Sequence, residues 1–239
     1  MTTSFPNFLT MEQCLNLEEG YLITVNMQHV YEARRSPLAA AAMFDDAGAR
    51  HCLDGRGAAT LFQRVLAASM ELVQGNVLLS QWLTRTKNSR LLVIGSSAET
   101  VRKVTDKYPD LKTVVDERII QISSLADAVT QADAILACHP GPWGLIAIAL
   151  GVPKQELLAQ ALWHRIDAPI YCIGGSFEIL ADTLPRSPEW VQAIGMEGVW
   201  RLLIEPSSKR WDRLVRSYAT FFVLRMMVPS LVRLTGGKD

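Results

Sequence analysis

Leu145-Ile-Ala-Ile-Ala-Leu-Gly-Val-Pro-Lys-Gln-Glu156 and, a little further on, Pro169-Ile-Tyr-Cys-Ile-Gly-Gly-Ser-Phe-Glu178 decide how this chain folds. Each is an apolar run of strand length that meets a turn of small residues and then a helix-forming sequence. Short runs that are apolar throughout, alternating with helices, build a parallel sheet covered on both faces. Their turns place backbone N–H groups and a helix N-terminus at the mouth of that sheet, where an anion can sit.

Reading outward, Arg90–Ile94 is a third buried-type strand, followed by Gly95-Ser-Ser and a helix to about Tyr108. Tyr21–Val25 and His51–Leu53 read as strands, the second running into the turn dipeptide Asp54-Gly55. Helical patterns cover 28–42, 58–83 (broken near Gly75) and 124–138, with Ser124 as N-cap. Thr113–Val115 and Ile119–Ile122 compete for one further strand. His139-Pro-Gly-Pro is a breaker, and Pro153 suits the first turn of the next helix. The expected architecture is α/β: a Rossmann-like, mostly parallel sheet with helices on both faces over residues 1–198, plus a basic amphipathic helical appendage over 199–239.

Composition narrows the class. Of 239 residues, 49% are hydrophobic, enough for a large core. The formal net charge is zero, so nothing global attracts nucleic acid, and no nucleic-acid partner is expected. Cys14, Cys52, Cys138 and Cys172 are dispersed with no CxxC pair, which fits reduced thiols in the cytoplasm. His29, His51, His139 and His164 show no ligand spacing, so no metal site is expected. The N-terminus lacks a basic segment ahead of an apolar run, so no signal peptide is expected. No apolar run reaches the roughly 20 residues that span a bilayer.

The appendage differs in charge. Residues 199–239 hold eight Lys and Arg against three acids. Trp211, Leu214, Tyr218, Phe221 and Phe222 interleave with Arg210, Arg213 and Arg216. Such a segment can lie on an anionic membrane surface. It can equally dock on the core with its arginines in solvent.

Several motifs occur in a shared order. These are Ile23-Thr-Val-Asn26, Leu53-Asp-Gly-Arg-Gly57, Gln63-Arg-Val65, Leu150-Gly-Val-Pro-Lys-Gln-Glu156, Ile173-Gly-Gly-Ser-Phe-Glu178 and Arg186-Ser-Pro-Glu-Trp190 through Glu205-Pro206. Together they resemble the WecG/TagA/CpsF glycosyltransferases, glycosyltransferase family twenty-six, from about Tyr21 to the early 220s. The resemblance implies an inverting transferase, with no cofactor and no metal. It would move a sugar from a UDP-sugar to a polyprenyl-diphosphate-linked sugar at the inner face of the cytoplasmic membrane. The product would feed envelope polysaccharide or exopolysaccharide synthesis, and the appendage would meet the membrane. The sequence leaves room for a homo-oligomer.

An inverting transfer needs a base for the acceptor hydroxyl and positive or N–H partners for the departing diphosphate. Asp54 is the candidate base; a turn Asp capping its own backbone is the plainer alternative. A carboxylate of ordinary acidity is ionised at pH 7 and needs no special tuning to accept a proton. Thr24 and Asn26 can bond the donor sugar or simply end a strand. Gln155 can hold a sugar hydroxyl or phosphate oxygen, and Gly174, Gly175 and Ser176 let backbone approach the nucleotide or diphosphate. Arg64 and Arg201 match family arginines able to clamp a diphosphate, and Arg210 and Arg213 share one helical face that can reach over it.

The chain also departs from the family. The span from Asp54 to Arg64 is several residues short, Glu178 stands where Asp is usual, and a His-His-Gly loop is missing after Leu111–Val115. His139–Trp143 looks inserted, and Ser207-Ser208-Lys209 replaces a basic cluster. A catalytically silent nucleotide-sugar binder or scaffold is therefore the competing reading. A dehydrogenase is disfavoured, because no Gly-x-Gly-x-x-Gly follows an early strand.

Overall fold

The computed structural model describes residues 7–234 except 67, 184, 186, 189 and 192–195. The side chains of Arg201, Lys209, Arg210, Arg213 and residues 225–234 also lie outside the description. Among the described residues, β1 (Tyr21–Val25), β2 (Ala49–Leu53), β3 (Arg90–Ile94), β4 (Lys112–Asp116), β5 (Leu145–Ile148) and β6 (Ile170–Cys172) form one sheet. Their order is β2-β1-β6-β5-β3-β4, and every pairing is parallel. All six carboxyl ends therefore lie along one edge, where ligands of open α/β sheets bind.

Strand residues alternate between two apolar layers, as the two-residue period requires. Tyr21, Ile23, Val25, Leu92, Ile94, Ile146, Ile148, Ile170 and Cys172 face one layer with α7 (Leu125–Cys138) and α8 (Lys154–Trp163). Leu22, Leu91, Val93, Leu145, Ala147, Tyr171 and Ile173 face the other, with α1 (Met11–Leu15), α5 (Gly75–Arg85), α6 (Ala98–Thr105) and α9 (Ser176–Leu180). Both layers exclude water, which explains why the strands read as unbroken apolar runs. Ser124 caps α7 through a reciprocal capping box with Asp127, as its sequence position requires.

Two local expectations change, and one open choice between two runs is decided. The helix expected over 28–42 breaks at Ser36-Pro37. Proline disfavours helical backbone at the residue before it, and Ser36 sits extended and caps the next turn instead. The result is α2 (Met27–Arg35), α3 (Pro37–Ala40) and a π-helical turn, Ala41–Asp45. Carbonyls in that turn accept hydrogen bonds from buried side chains, Tyr21 Oη to Ala42 O at 2.6 Å and His51 Nε2 to Met43 O at 2.6 Å.

The break expected near Gly75 in the 58–83 pattern is present but wider than one residue: α4 (Arg56–Leu66) ends early and Gly75 begins α5. Between them Leu72 bridges to Leu53, and Val73 N donates to Leu53 O at 2.8 Å. The free edge of β2 recruits this segment, a long-range pairing that local periodicity does not report. Of the two competing runs, Lys112–Asp116 is the strand. Ile120 and Ile122 are buried in coil instead.

The C-terminal stretch forms α10 (Glu197–Ile204) and α11 (Ser208–Leu234). Gly198 lets them close: a Cβ there would stand 2.8 Å from Leu214 Cδ1. α11 packs on α2 and α4. Ser217 Oγ donates to Gln28 Oε1 at 3.3 Å, the Arg216 guanidinium lies over the Tyr31 ring, and Phe221 approaches Gly57. The helix is thus docked on the core along this length. No helix among the described residues is long and apolar enough to cross a membrane.

Candidate active site

Asp54 is the first residue beyond β2, and its backbone N–H donates to Val25 O at 2.8 Å. Asn26, the first residue beyond β1, caps α2 by accepting from Gln28 N through Oδ1 at 2.9 Å. Gly55 turns the chain at φ +96°, and a Cβ placed there would find Asn26 Cβ at 3.9 Å. The two polar residues therefore sit side by side on adjacent strand ends, both half-buried.

The next strand end is β6. Thr24 Oγ1 donates to Cys172 O at 2.9 Å, tying β1 to β6. Gly174, with φ +50°, donates its N–H to Gln155 Oε1 at 3.1 Å. Gln155 Nε2 donates to Glu156 Oε1 at 2.7 Å. Ser176 Oγ donates to Ile173 O at 2.6 Å. Thr24, Gln155 and Ser176 are nearly fully buried. Their polar groups hold the strand ends together, while Gly175 is the exposed backbone of that turn.

Two residues beyond Asp54, Arg56 opens α4 in an exposed position. With Met11, Leu72, Gln74, Val77 and Glu197 it lines a cavity of about 190 Å³. Gly75 brings the start of α5 to the same place: a Cβ there would meet Ser176 Oγ at 3.0 Å and Thr24 Cγ2 at 3.5 Å. A larger cavity, about 260 Å³, lies between Val30, Ala33, Arg34, Phe44 and Phe62. It carries one polar side chain, whereas the smaller one holds Arg56, Gln74 and Glu197 and begins two residues beyond Asp54, so the smaller one is the candidate. On the far side of β6, Ser96 Oγ donates to Glu178 Oε1 at 2.9 Å, and Glu178 Oε2 is buried without a hydrogen-bond partner among the described residues. Among the described residues no group of three or more His, Cys, Asp or Glu is placed to hold a metal ion.

A family model described as the glycosyl transferase WecG/TagA/CpsF family matches residues 4–233. The chain belongs to that family. It is 24% identical over 226 residues to the N-acetylglucosaminyldiphosphoundecaprenol N-acetyl-beta-D-mannosaminyltransferase of Bacillus spizizenii strain W23, covering 89% of this chain and 81% of the relative. It is 24% identical over 137 residues to the protein of the same name from Bacillus subtilis strain 168, covering 54% of this chain and 49%, about half, of that relative.

In this WecG/TagA/CpsF glycosyltransferase the strand ends gather Asp54, Thr24, Asn26, Gln155, Gly174, Gly175 and Ser176. They do not gather Arg64. That residue is exposed near the C-terminal end of α4, eight residues and thus about 12 Å along the helix from Arg56. Arg201 lies on α10 and Arg210 and Arg213 on α11, with side chains outside the described residues.

Sequence reasoning passed over Arg56, His29 and Glu156. Arg56 carried a signal, because a cation in the first turn opposes the helix dipole. His29 shows no ligand spacing in the sequence, yet it is 1% exposed, with Nε2 2.9 Å from Glu156 Oε1. His51 is buried under the π-helical turn, and burial pulls its imidazole below the usual range against the opposing Met43 carbonyl.

Arg56→Ala is expected to lower kcat/KM for sugar transfer by roughly 10–100-fold, the worth of one charge-assisted hydrogen bond. Arg64→Ala should stay within about twofold, since surface changes away from such features rarely matter. Parallel kinetics on the two variants check this, and a reversed ranking would restore Arg64 to the site.

Proposed function

We propose that this chain is an inverting glycosyltransferase that moves a sugar from a UDP-sugar to a polyprenyl-diphosphate-linked sugar in envelope or exopolysaccharide synthesis. The observation that carries the reading is the placement of Asp54 beside Asn26 on the carboxyl edge of a parallel sheet, with Arg56 next to them. Asp54 takes the proton of the acceptor hydroxyl as its oxygen bonds to the anomeric carbon. The bond from that carbon to the diphosphate oxygen breaks on the opposite side, which inverts the centre. Arg56 and the N–H groups of Gly175 and the α5 start meet the charge that gathers on the diphosphate. These partners supply the positive charge, so no metal or cofactor is needed. The Asn26 amide faces a sugar hydroxyl. A cavity of about 190 Å³ is too small for a whole nucleotide sugar, so the ligand runs on along the strand ends towards Gly174.

The reading places the protein peripherally at the inner face of the cytoplasmic membrane. Trp211, Val215 and Phe222 are each about half exposed or more. At 3.6 residues per turn they fall within about 40° of one another on α11. Trp211→Ser with Phe222→Ser should weaken sedimentation with anionic liposomes at low salt on the order of tenfold without undocking α11. Unchanged sedimentation would remove the membrane role.

The deciding assay is a panel of UDP-sugars with a short-chain polyprenyl-diphosphate-GlcNAc acceptor, with and without chelator. UDP release and an inverted glycoside are expected, at the same rate with chelator. Calorimetric binding of UDP with no turnover for any donor would favour a silent nucleotide-sugar binder instead.

A further inference from the structure

Beneath the strand-end cluster lies a chain of buried polar contacts that runs from β1 to β6. The Asn26 N–H lies 3.1 Å from His29 Nδ1, on the first turn of α2. His29 Nε2 lies 2.9 Å from Glu156 Oε1, on the first turn of α8. The same Glu156 oxygen accepts from Gln155 Nε2 at 2.7 Å, and Gln155 Oε1 accepts from Gly174 N at 3.1 Å. Nδ1 lies 3.1 Å from Asn26 Oδ1 as well; with a proton on Nε2 facing a Glu156 carboxylate, Nδ1 accepts from the Asn26 N–H. His29 and Glu156 side chains are each 1% exposed. Glu156 Oε2 makes no hydrogen bond among the described residues.

Burying a carboxyl with one bare oxygen costs stability, and an apolar residue of similar size would be cheaper. A core that needed only to be filled would not use this pair. What the pair achieves is directional. One Glu156 oxygen fixes two donors that belong to different strand ends. We propose that His29 and Glu156 are positioning residues. Through Gln155 they set the Gly174-Gly175 turn, and through the Asn26 backbone they set the residue that faces the sugar, so both flanks of the cleft are held in one register. The catalytic half of this inference rests on the transferase reading above. The register itself does not.

Hydrogen exchange followed by mass spectrometry tests the register directly. In Glu156→Leu, amides in the peptides spanning 25–30 and 173–176 should exchange on the order of tenfold faster than in the wild type. In His29→Leu only the first peptide should loosen, because Gln155 keeps its carboxylate. Glu156→Gln retains an acceptor of the same reach and should leave both peptides protected. Equal acceleration of every core peptide, or no change in Glu156→Leu, overturns the proposal. If Glu156→Leu does not fold, His29→Leu decides: loosening confined to 25–30 supports the register, and uniform loosening or none refutes it.

With a donor in hand, Glu156→Leu should lose on the order of 10–100-fold in kcat with a smaller change in KM. Glu156→Gln should recover most of it. A wild type without turnover would defeat the transferase reading while the exchange result still stood.

Discussion

Asp54→Asn is expected to abolish sugar transfer and leave the fold as it was. A general base contributes about 10²–10⁴-fold to such a reaction, and an amide in its place cannot take the proton. The substitution keeps side-chain size, and the backbone bond from residue 54 N to Val25 O survives it. Gly55 sets the backbone turn at φ +96°, and an amide keeps the size and hydrogen-bonding reach of the carboxylate, so stability should move by no more than about 1 kcal/mol. UDP affinity should hold, because the proposed mechanism leaves the nucleotide to Arg56 and backbone N–H groups. Steady-state kinetics, a melting curve and UDP calorimetry together check this. Retained turnover in a folded Asp54→Asn protein would mean that the proton leaves by another route.

The fold was largely legible because its central strands are buried on both faces. Leu91–Ile94 and Leu145–Ile148 lie wholly in the core, and a strand dry on both sides announces itself as an apolar run bounded by turn residues. Reading failed where a long-range contact overrode local pattern. Leu72 and Val73 sit in what reads as helix up to a break near Gly75, yet the open edge of β2 draws them into a bridge with Leu53. The docking of α11 was open for the same reason. An amphipathic helix shows the same sequence face whether it meets protein or lipid, and the contacts of Ser217 with Gln28, Arg216 with Tyr31 and Phe221 with Gly57 decide for this length.

The site was legible as a set of positions more than as a set of roles. Asp54, Asn26 and Gly174 read as residues just beyond parallel strands, where ligands of such sheets gather, and the structure places them there. Gln155 and Thr24 were found too, but as groups facing substrate. Their hydrogen bonds to Gly174, Glu156 and Cys172 turn them inward. A buried amide and a solvated one look alike in sequence. His29 was missed because its partner is 127 residues away.

Gly20→Ala should produce the converse of Asp54→Asn, a large loss of stability with the chemistry untouched. Gly20 enters β1 at φ +91°, and a Cβ there would stand 2.6 Å from Gly48 O. That oxygen already accepts from Tyr21 N at 2.9 Å, and Gly20 O accepts from Ile170 N at 3.1 Å. Gly48 has no room to retreat, since any Cβ of its own would meet the Trp163 ring. With strained backbone at about 1–3 kcal/mol and overpacking at a similar figure, the cost is roughly 2–5 kcal/mol. A chain of this size should then melt roughly 5–15 °C lower. Gly20 and Asn26 flank opposite ends of β1, about 20 Å apart at strand rise. Below the melting range, kcat per folded molecule should therefore match wild type. A fall in kcat without a fall in melting temperature would place the start of β1 within the working site, and the division of labour between the two edges of the sheet would be wrong.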